Sequence, residues 1–211
     1  MVREVPMRVT VQAYTRASAI RPTIQEGDLV MFRGGPLRDR VIEMGTAGIY
    51  CHSALAFIEP DATTGEKRVH LVQATKENGV HTKLLSQQVE EFEGGMEHWR
   101  IKPPHLEKYD GKRAVAEART KVGLPYAMTP IYWFALDFIT FRLFDLRARK
   151  VDPNAWFCSE LVAWATRRAG VDLDTHHADA ATAPSDLVIH GRRVEPLGAF
   201  AHPAVVANAK G

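Results

Sequence analysis

Two cysteines and nine histidines are the residues of this 211-residue chain with which covalent chemistry would begin. Cys158 stands in the stretch Ala155-Trp156-Phe157-Cys158-Ser159-Glu160-Leu161-Val162. From it onward the apolar residues Leu161, Val162, Ala165 and Ala169 fall on one stripe of a helix. Arg167 and Arg168 close that helix and Gly170 ends it. Upstream, Asp152-Pro153 supplies a capping residue and a first-turn proline, which places Cys158 in the first or second turn. A thiol there meets unpaired N–H groups and the positive end of the helix, both of which favour the thiolate nucleophile. The competing reading is that of a packed cysteine, since free thiols are among the most buried side chains.

A thiol nucleophile needs a base, and the base needs a polar group that fixes its tautomer. His52 is the strongest candidate base: it opens an apolar stretch, 50–58, and follows Gly48 and Tyr50. Strand alternation turns Cys51 to the opposite face, so Cys51 is a poor partner for it. His70, three residues before Gln73, faces away from Gln73, and His176-His177 lies in a loop. For the orienting group the next strand offers Gln73, whose amide oxygen accepts from a ring N–H without adding charge. Glu77, beyond the strand end, is the charged alternative. No His-x-x-x-His or Cys-x-x-Cys spacing points to a metal, and Gly34-Gly35-Pro36 lacks the lysine of a phosphate loop. No metal and no cofactor is expected.

These residues need a scaffold, and the pattern is that of an α+β protein. Strands are expected at 26–32, 50–58, 68–75, 79–85 and 97–102, separated by glycine and proline turns, which together make an antiparallel sheet. Helices are expected at 37–44, at 112–122 through Ala114, Val115, Ala118 and Val122, and from Cys158. A last strand lies near 193–197. Residues 1–25 form an N-terminal arm or first strand, and 26–200 a single domain with an apolar helical insertion at about 130–148. That insertion, interrupted by Asp137 and Arg142, is too short to span a membrane; it packs in the core, covers a site or makes peripheral lipid contact through 130–146.

A net charge of +2 spread over the chain argues against nucleic acid as a partner. Two cysteines make no disulfide framework, and the charged N-terminus does not read as a signal peptide, so a reducing, cytoplasmic setting is expected.

In order, Gly27-Asp28-Leu29-Val30, Cys51-His52-Ser53-Ala54-Leu55-Ala56-Phe57, Val72-Gln73-Ala74-Thr75 with Gly79-Val80, Gly123-Leu124-Pro125-Tyr126, Phe157-Cys158-Ser159-Glu160-Leu161-Val162 and Ser185-Asp186-Leu187 resemble the circularly permuted NlpC-type papain-like hydrolases, the YiiX/YaeF-like branch. The resemblance implies a papain-like antiparallel sheet packed against helices, with the nucleophile at a helix N-terminus. It implies Cys158 as nucleophile, His52 as base and Gln73 in the third position, where an acidic residue is more usual. The backbone N–H of Cys158, with Tyr126 and Tyr50, becomes a candidate oxyanion or substrate-binding group. The activity implied is that of a cysteine amidase, peptidase or thioesterase-like hydrolase working through a thioester on a peptide, a cell-wall peptide or a lipid-linked amide or ester. An acyl transferase of the same fold and a catalytically silent binding module are the alternatives. Ser159 and Glu160 are read as helix-start and packing residues.

Overall fold

The computed structural model describes residues 13–14, 23–34, 48–61, 63–128, 152, 154–189 and 193–200. The expected helix at 37–44 and the body of the insertion at 130–148 lie outside the described residues. Within them the chain is α+β, built on six antiparallel strands in the order β7-β6-β2-β3-β4-β5. These are β2 (Leu29–Arg33), β3 (His52–Pro60), β4 (Lys67–Thr75), β5 (Gly79–Leu84), β6 (Gly95–Ile101) and β7 (Val194–Phe200). A two-residue β1, Ala13–Tyr14, runs parallel to β7 at the sheet's edge. All five strands expected in the interior of the chain are present, and the last extends further than its sequence signal.

Burial follows the period of two. Leu29, Met31, Leu55, Phe57, Val72 and Ala74 face one side of the sheet. There they meet α2 (Gly111–Arg119) through Ala114, Val115 and Ala118, and α3 (Cys158–Arg168) through Leu161, Val162 and Ala165. Val30, Phe32, Ala54, Ala56, Val69 and Leu71 face the other side, covered by Leu85 and Val89 of a short helix, α1 (Leu85–Glu91). Sequence patterning did not anticipate α1, because seven residues hold too few turns to show a 3.6-residue stripe. A four-residue α4 (Asp186–Ile189) precedes β7.

The helices start where short side chains or close contacts let them. Asp110 caps α2 by accepting from the Arg113 N–H at 3.0 Å. At Gly111 a Cβ would lie 1.9 Å from the Glu26 carbonyl oxygen, so only glycine lets α2 settle against that turn. The start of α3 differs from expectation. Its cap is Phe157, and Asp152 instead accepts from the Asn154 N–H. Glu160 takes over the capping by accepting from the Phe157 N–H at 3.2 Å. Cys158 is therefore the first residue of the helix.

Asp28 ties the sheet together at its buried end. Its carboxylate accepts from His98 Nε2 at 2.7 Å and from Arg100 at 2.6 and 2.9 Å, both on β6. Burial alone would raise its pKa, but the bonds from Arg100 and His98 outweigh burial and hold it below the ordinary value. The stabilisation is present above the unfolded carboxylate pKa and is lost as pH falls through the lower folded value. Asp28→Ala strands a buried imidazole and a guanidinium, and should cost on the order of 3 kcal/mol in urea unfolding, with a flatter acid limb than the parent protein.

Candidate active site

The site forms where β3 and β4 part. Their ladder runs from Pro60↔Lys67 to Leu55↔Val72 and stops, while β3 continues to His52 against β2 and β4 continues to Thr75 against β5. The first residue of α3 enters at that parting. The Cys158 sulfur takes a hydrogen bond from the backbone N–H of Ser53, the residue next to His52. It also interacts with the N–H groups of Ser159 and Cys158 at the helix start and with the Tyr126 hydroxyl. The sulfur is fully buried, so four polar hydrogens converge on it out of reach of water.

His52 is partly buried at the head of β3, its ring edge-on to Phe32 at 4.7 Å between centroids. Its Nε2 lies 2.8 Å from Gln73 Oε1. Since an amide oxygen only accepts, Nε2 carries the proton and Nδ1 has the lone pair that a base requires. Glu77, the charged alternative, sits in the turn after β4 and acts on His52 only through its charge. Cys51 bonds the Phe32 carbonyl through its own sulfur at 3.3 Å and belongs to the packed core. His70 stacks on Phe57, on the face opposite Gln73, as alternation requires.

Tyr126 is brought in by backbone pairing. Val80 and the Gly123-Leu124 segment exchange two hydrogen bonds of 2.8 Å, and Pro125 to Ala127 then pairs in parallel with Trp156. Tyr50 goes elsewhere. Its hydroxyl donates to Glu97 at 2.5 Å, its ring packs against Trp99, and it does not line the site's cavity. The expectation that Tyr50 binds substrate therefore does not fit its placement: β3 begins only at His52, so the residue two earlier falls outside the alternation that aims His52. The motif Ser185-Asp186 is structural as well. Ser185 Oγ accepts from the Tyr50 N–H at 3.1 Å, and Asp186 accepts from the Ala183 N–H at 2.9 Å. Ser159 Oγ donates to the Thr182 carbonyl at 2.6 Å, which pins α3 to the same loop.

A cavity of about 510 Å³ opens beside His52. His52, Gln73 and Tyr126 line it, with Phe32, Phe92 and Met128 as an apolar wall and the β4–β5 turn as a polar one. Cys158 interacts with Tyr126, is fully buried and is not itself on the wall. A second hollow, of about 650 Å³, lies along the outer face of α3 at Glu160, Trp164 and Arg167, away from the sulfur.

Asp174, His177 and Asp186 bring one ligand atom each within 4.8 Å of one another. Spacing rules missed this group because its members are joined by a loop. Asp174 accepts from the N–H groups of His176 and His177 and pairs with His177 Nδ1 at 2.8 Å, so the cluster orders that loop.

No family model matches the chain, and no curated sequence matches it significantly. Among solved structures it is similar to one titled metalloprotein yiiX from Escherichia coli O157:H7, DUF1105. The TM-score is 0.55 at 13% identity, covering 82% of this chain and 96% of that one. The likeness is one of fold, and it spans nearly the whole of YiiX. Among the described residues no helix is long and apolar enough to cross a membrane.

The electrostatics correct one expectation. Burial pushes the Cys158 thiol up to about 12, against the opposing pull of Ser53, Ser159, Tyr126 and its own N–H. Burial likewise pushes His52 down to about 4, and the Gln73 bond offsets only part of that. The helix start does favour the thiolate, but removal from water outweighs it, and the resting pair is neutral. Because the thiol pKa is raised, the thiol persists at every pH below it. The thiolate absorbance difference between the parent protein and Cys158→Ser should therefore stay flat from about pH 5 to about pH 9; a step in that range would reveal a resting thiolate–imidazolium pair instead.

Proposed function

We propose that the chain is a cysteine-dependent hydrolase of permuted, NlpC-type papain-like architecture, acting on an amide or ester through a thioester. The observation that carries this reading is the sulfur at the first residue of α3, held by the N–H next to His52, while the far nitrogen of that ring is held by Gln73. In the reaction, His52 Nδ1 takes the thiol proton as sulfur attacks the carbonyl carbon, and gives it to the departing amine or alcohol. With a neutral resting pair, proton transfer and attack belong to the same step, so the thiolate is generated only against a bound substrate. The amides of Cys158 and Ser159 and the Tyr126 hydroxyl are the donors available to the carbonyl oxygen as it becomes an oxyanion. Water, or an acyl acceptor in a transferase variant of the chemistry, then resolves the thioester.

The substrate class follows from the walls of the cavity. An apolar side of Phe32, Phe92 and Met128 suits an acyl chain or apolar side chain, and the polar β4–β5 turn suits a peptide or head group. The full burial of the thiol supports a second reading, a silent papain-like module that binds such a ligand without cleaving it.

Labelling by an electrophilic epoxide probe separates the two. The folded protein should be modified at Cys158, not at all in Cys158→Ala, and about 100-fold more slowly in His52→Ala. Modification of Cys158 only after denaturation would overturn the enzyme reading.

A further inference from the structure

Gln73 presents the same shape in either orientation of its amide, but only one orientation makes His52 a base. With Oε1 toward His52 Nε2, the imidazole proton is on Nε2 and Nδ1 is free to accept. With the amide turned over, its NH₂ would face Nε2, Nδ1 would carry the proton, and the ring could not take one from the thiol. Gln73 is 1% exposed, so the choice must be made by protein atoms.

Two side chains surround the amide nitrogen. Gln73 Nε2 donates to Gln88 Oε1 at 3.0 Å and lies 3.3 Å from His81 Nε2. The direction of the second contact is settled one bond further on. His81 Nδ1 is 3.0 Å from the Gly79 carbonyl oxygen. A carbonyl can only accept, so Nδ1 of His81 carries its hydrogen. The Nε2 of the neutral ring then has a lone pair and accepts from Gln73. The order of donors and acceptors thus runs without a break from a backbone carbonyl that cannot be inverted, through His81 and Gln73, to His52.

The fold places both groups. His81 is the direct cross-strand partner of Gln73 in the β4–β5 register, and a slip of one residue would turn it to the other face. Gln88 lies on α1 between Leu85 and Val89, the two residues that bury that helix on the sheet, and so shares their inward side.

We infer that His81 and Gln88 are positioning residues that hold the Gln73 amide in one orientation and thereby hold His52 in its Nε2–H tautomer. Neither touches the sulfur; they act through Gln73. The inference rests on the reading of His52 as the base.

The test reads the tautomer of His52 from nitrogen–proton correlation spectra of the full chain, beside the rate at which the epoxide probe labels Cys158. Gln88→Glu, which can only accept from Gln73, should keep the proton on Nε2 and label within roughly threefold of the parent rate. Gln88→Lys, which can only donate, and His81→Leu, which removes the one acceptor tied to a backbone carbonyl and leaves only the Gln88 amide, itself able to turn over, should move the ring toward the Nδ1–H form and slow labelling by about tenfold or more. His81→Leu leaves α1 untouched and carries the test if Gln88→Lys does not fold. An unchanged Nε2–H tautomer in folded Gln88→Lys and His81→Leu would overturn the inference even in an active protein. A tautomer that shifts as stated in a protein whose Cys158 never reacts would uphold it and sink the enzyme reading alone.

Discussion

The separation of β3 from β4 beyond Leu55 and Val72 is the constraint on which the rest of the site depends. Had the ladder continued, the inter-strand bonding that now ends at this pair would have closed the space in front of Ser53. Because it stops, the Ser53 N–H is available to the Cys158 sulfur at the first turn of α3. A buried amide must find an acceptor. Here the acceptor is the sulfur, so satisfying the backbone and locating the thiol are one event. His52 is at the head of the same strand, which sets its position relative to the sulfur before any side-chain contact is considered.

Burial shifts Cys158 and His52 in opposite directions and leaves both neutral. Desolvation disfavours the thiolate and the imidazolium alike, and the two shifts oppose the separation of charge that a resting ion pair would need. The amides at the start of α3 remain aimed at the sulfur, where in the proposed reaction they would meet charge as it arises. That arrangement is closer to the logic of a serine–histidine pair than to that of a permanently ionised thiol. A third group without charge fits it. A carboxylate at position 73 would stabilise imidazolium at rest, whereas an amide specifies the tautomer and leaves the ring neutral.

Much of this was legible in the residues themselves. Apolar runs between glycine and proline turns located β2 to β6, alternation put His70 and Gln73 on opposite faces, and apolar spacing located α2 and α3. The ordered motifs are what single out Cys158, His52 and Gln73 for the proposed site, and the likeness to YiiX is one of fold. Three features were not legible. The cap of α3 fell to Phe157 because Glu160 could reach back to its N–H, a local contact that a preceding Asp-Pro pair obscures. Tyr50 left the site because β3 starts two residues after it, a boundary that no periodicity marks. The roles of His81 and Gln88 depend on cross-strand register and on a helix too short to announce itself. The motifs also acquired separate purposes: Gly27-Asp28 anchors the sheet, Ser185-Asp186 braces the approach to β3, and Gly79-Val80 with Gly123-Leu124 is a single docking contact written in two places.

That docking contact leads to the paired backbone at Tyr126 and Trp156. The chain leaves the site at Ala127 and returns at Trp156 with the two peptides already bonded to each other. Whatever lies between them is a closed excursion whose ends cannot drift apart, and lengthening such an excursion adds only slowly to the entropy of closing it. The positions of Tyr126 and Cys158 are consequently insulated from the length and composition of the intervening sequence.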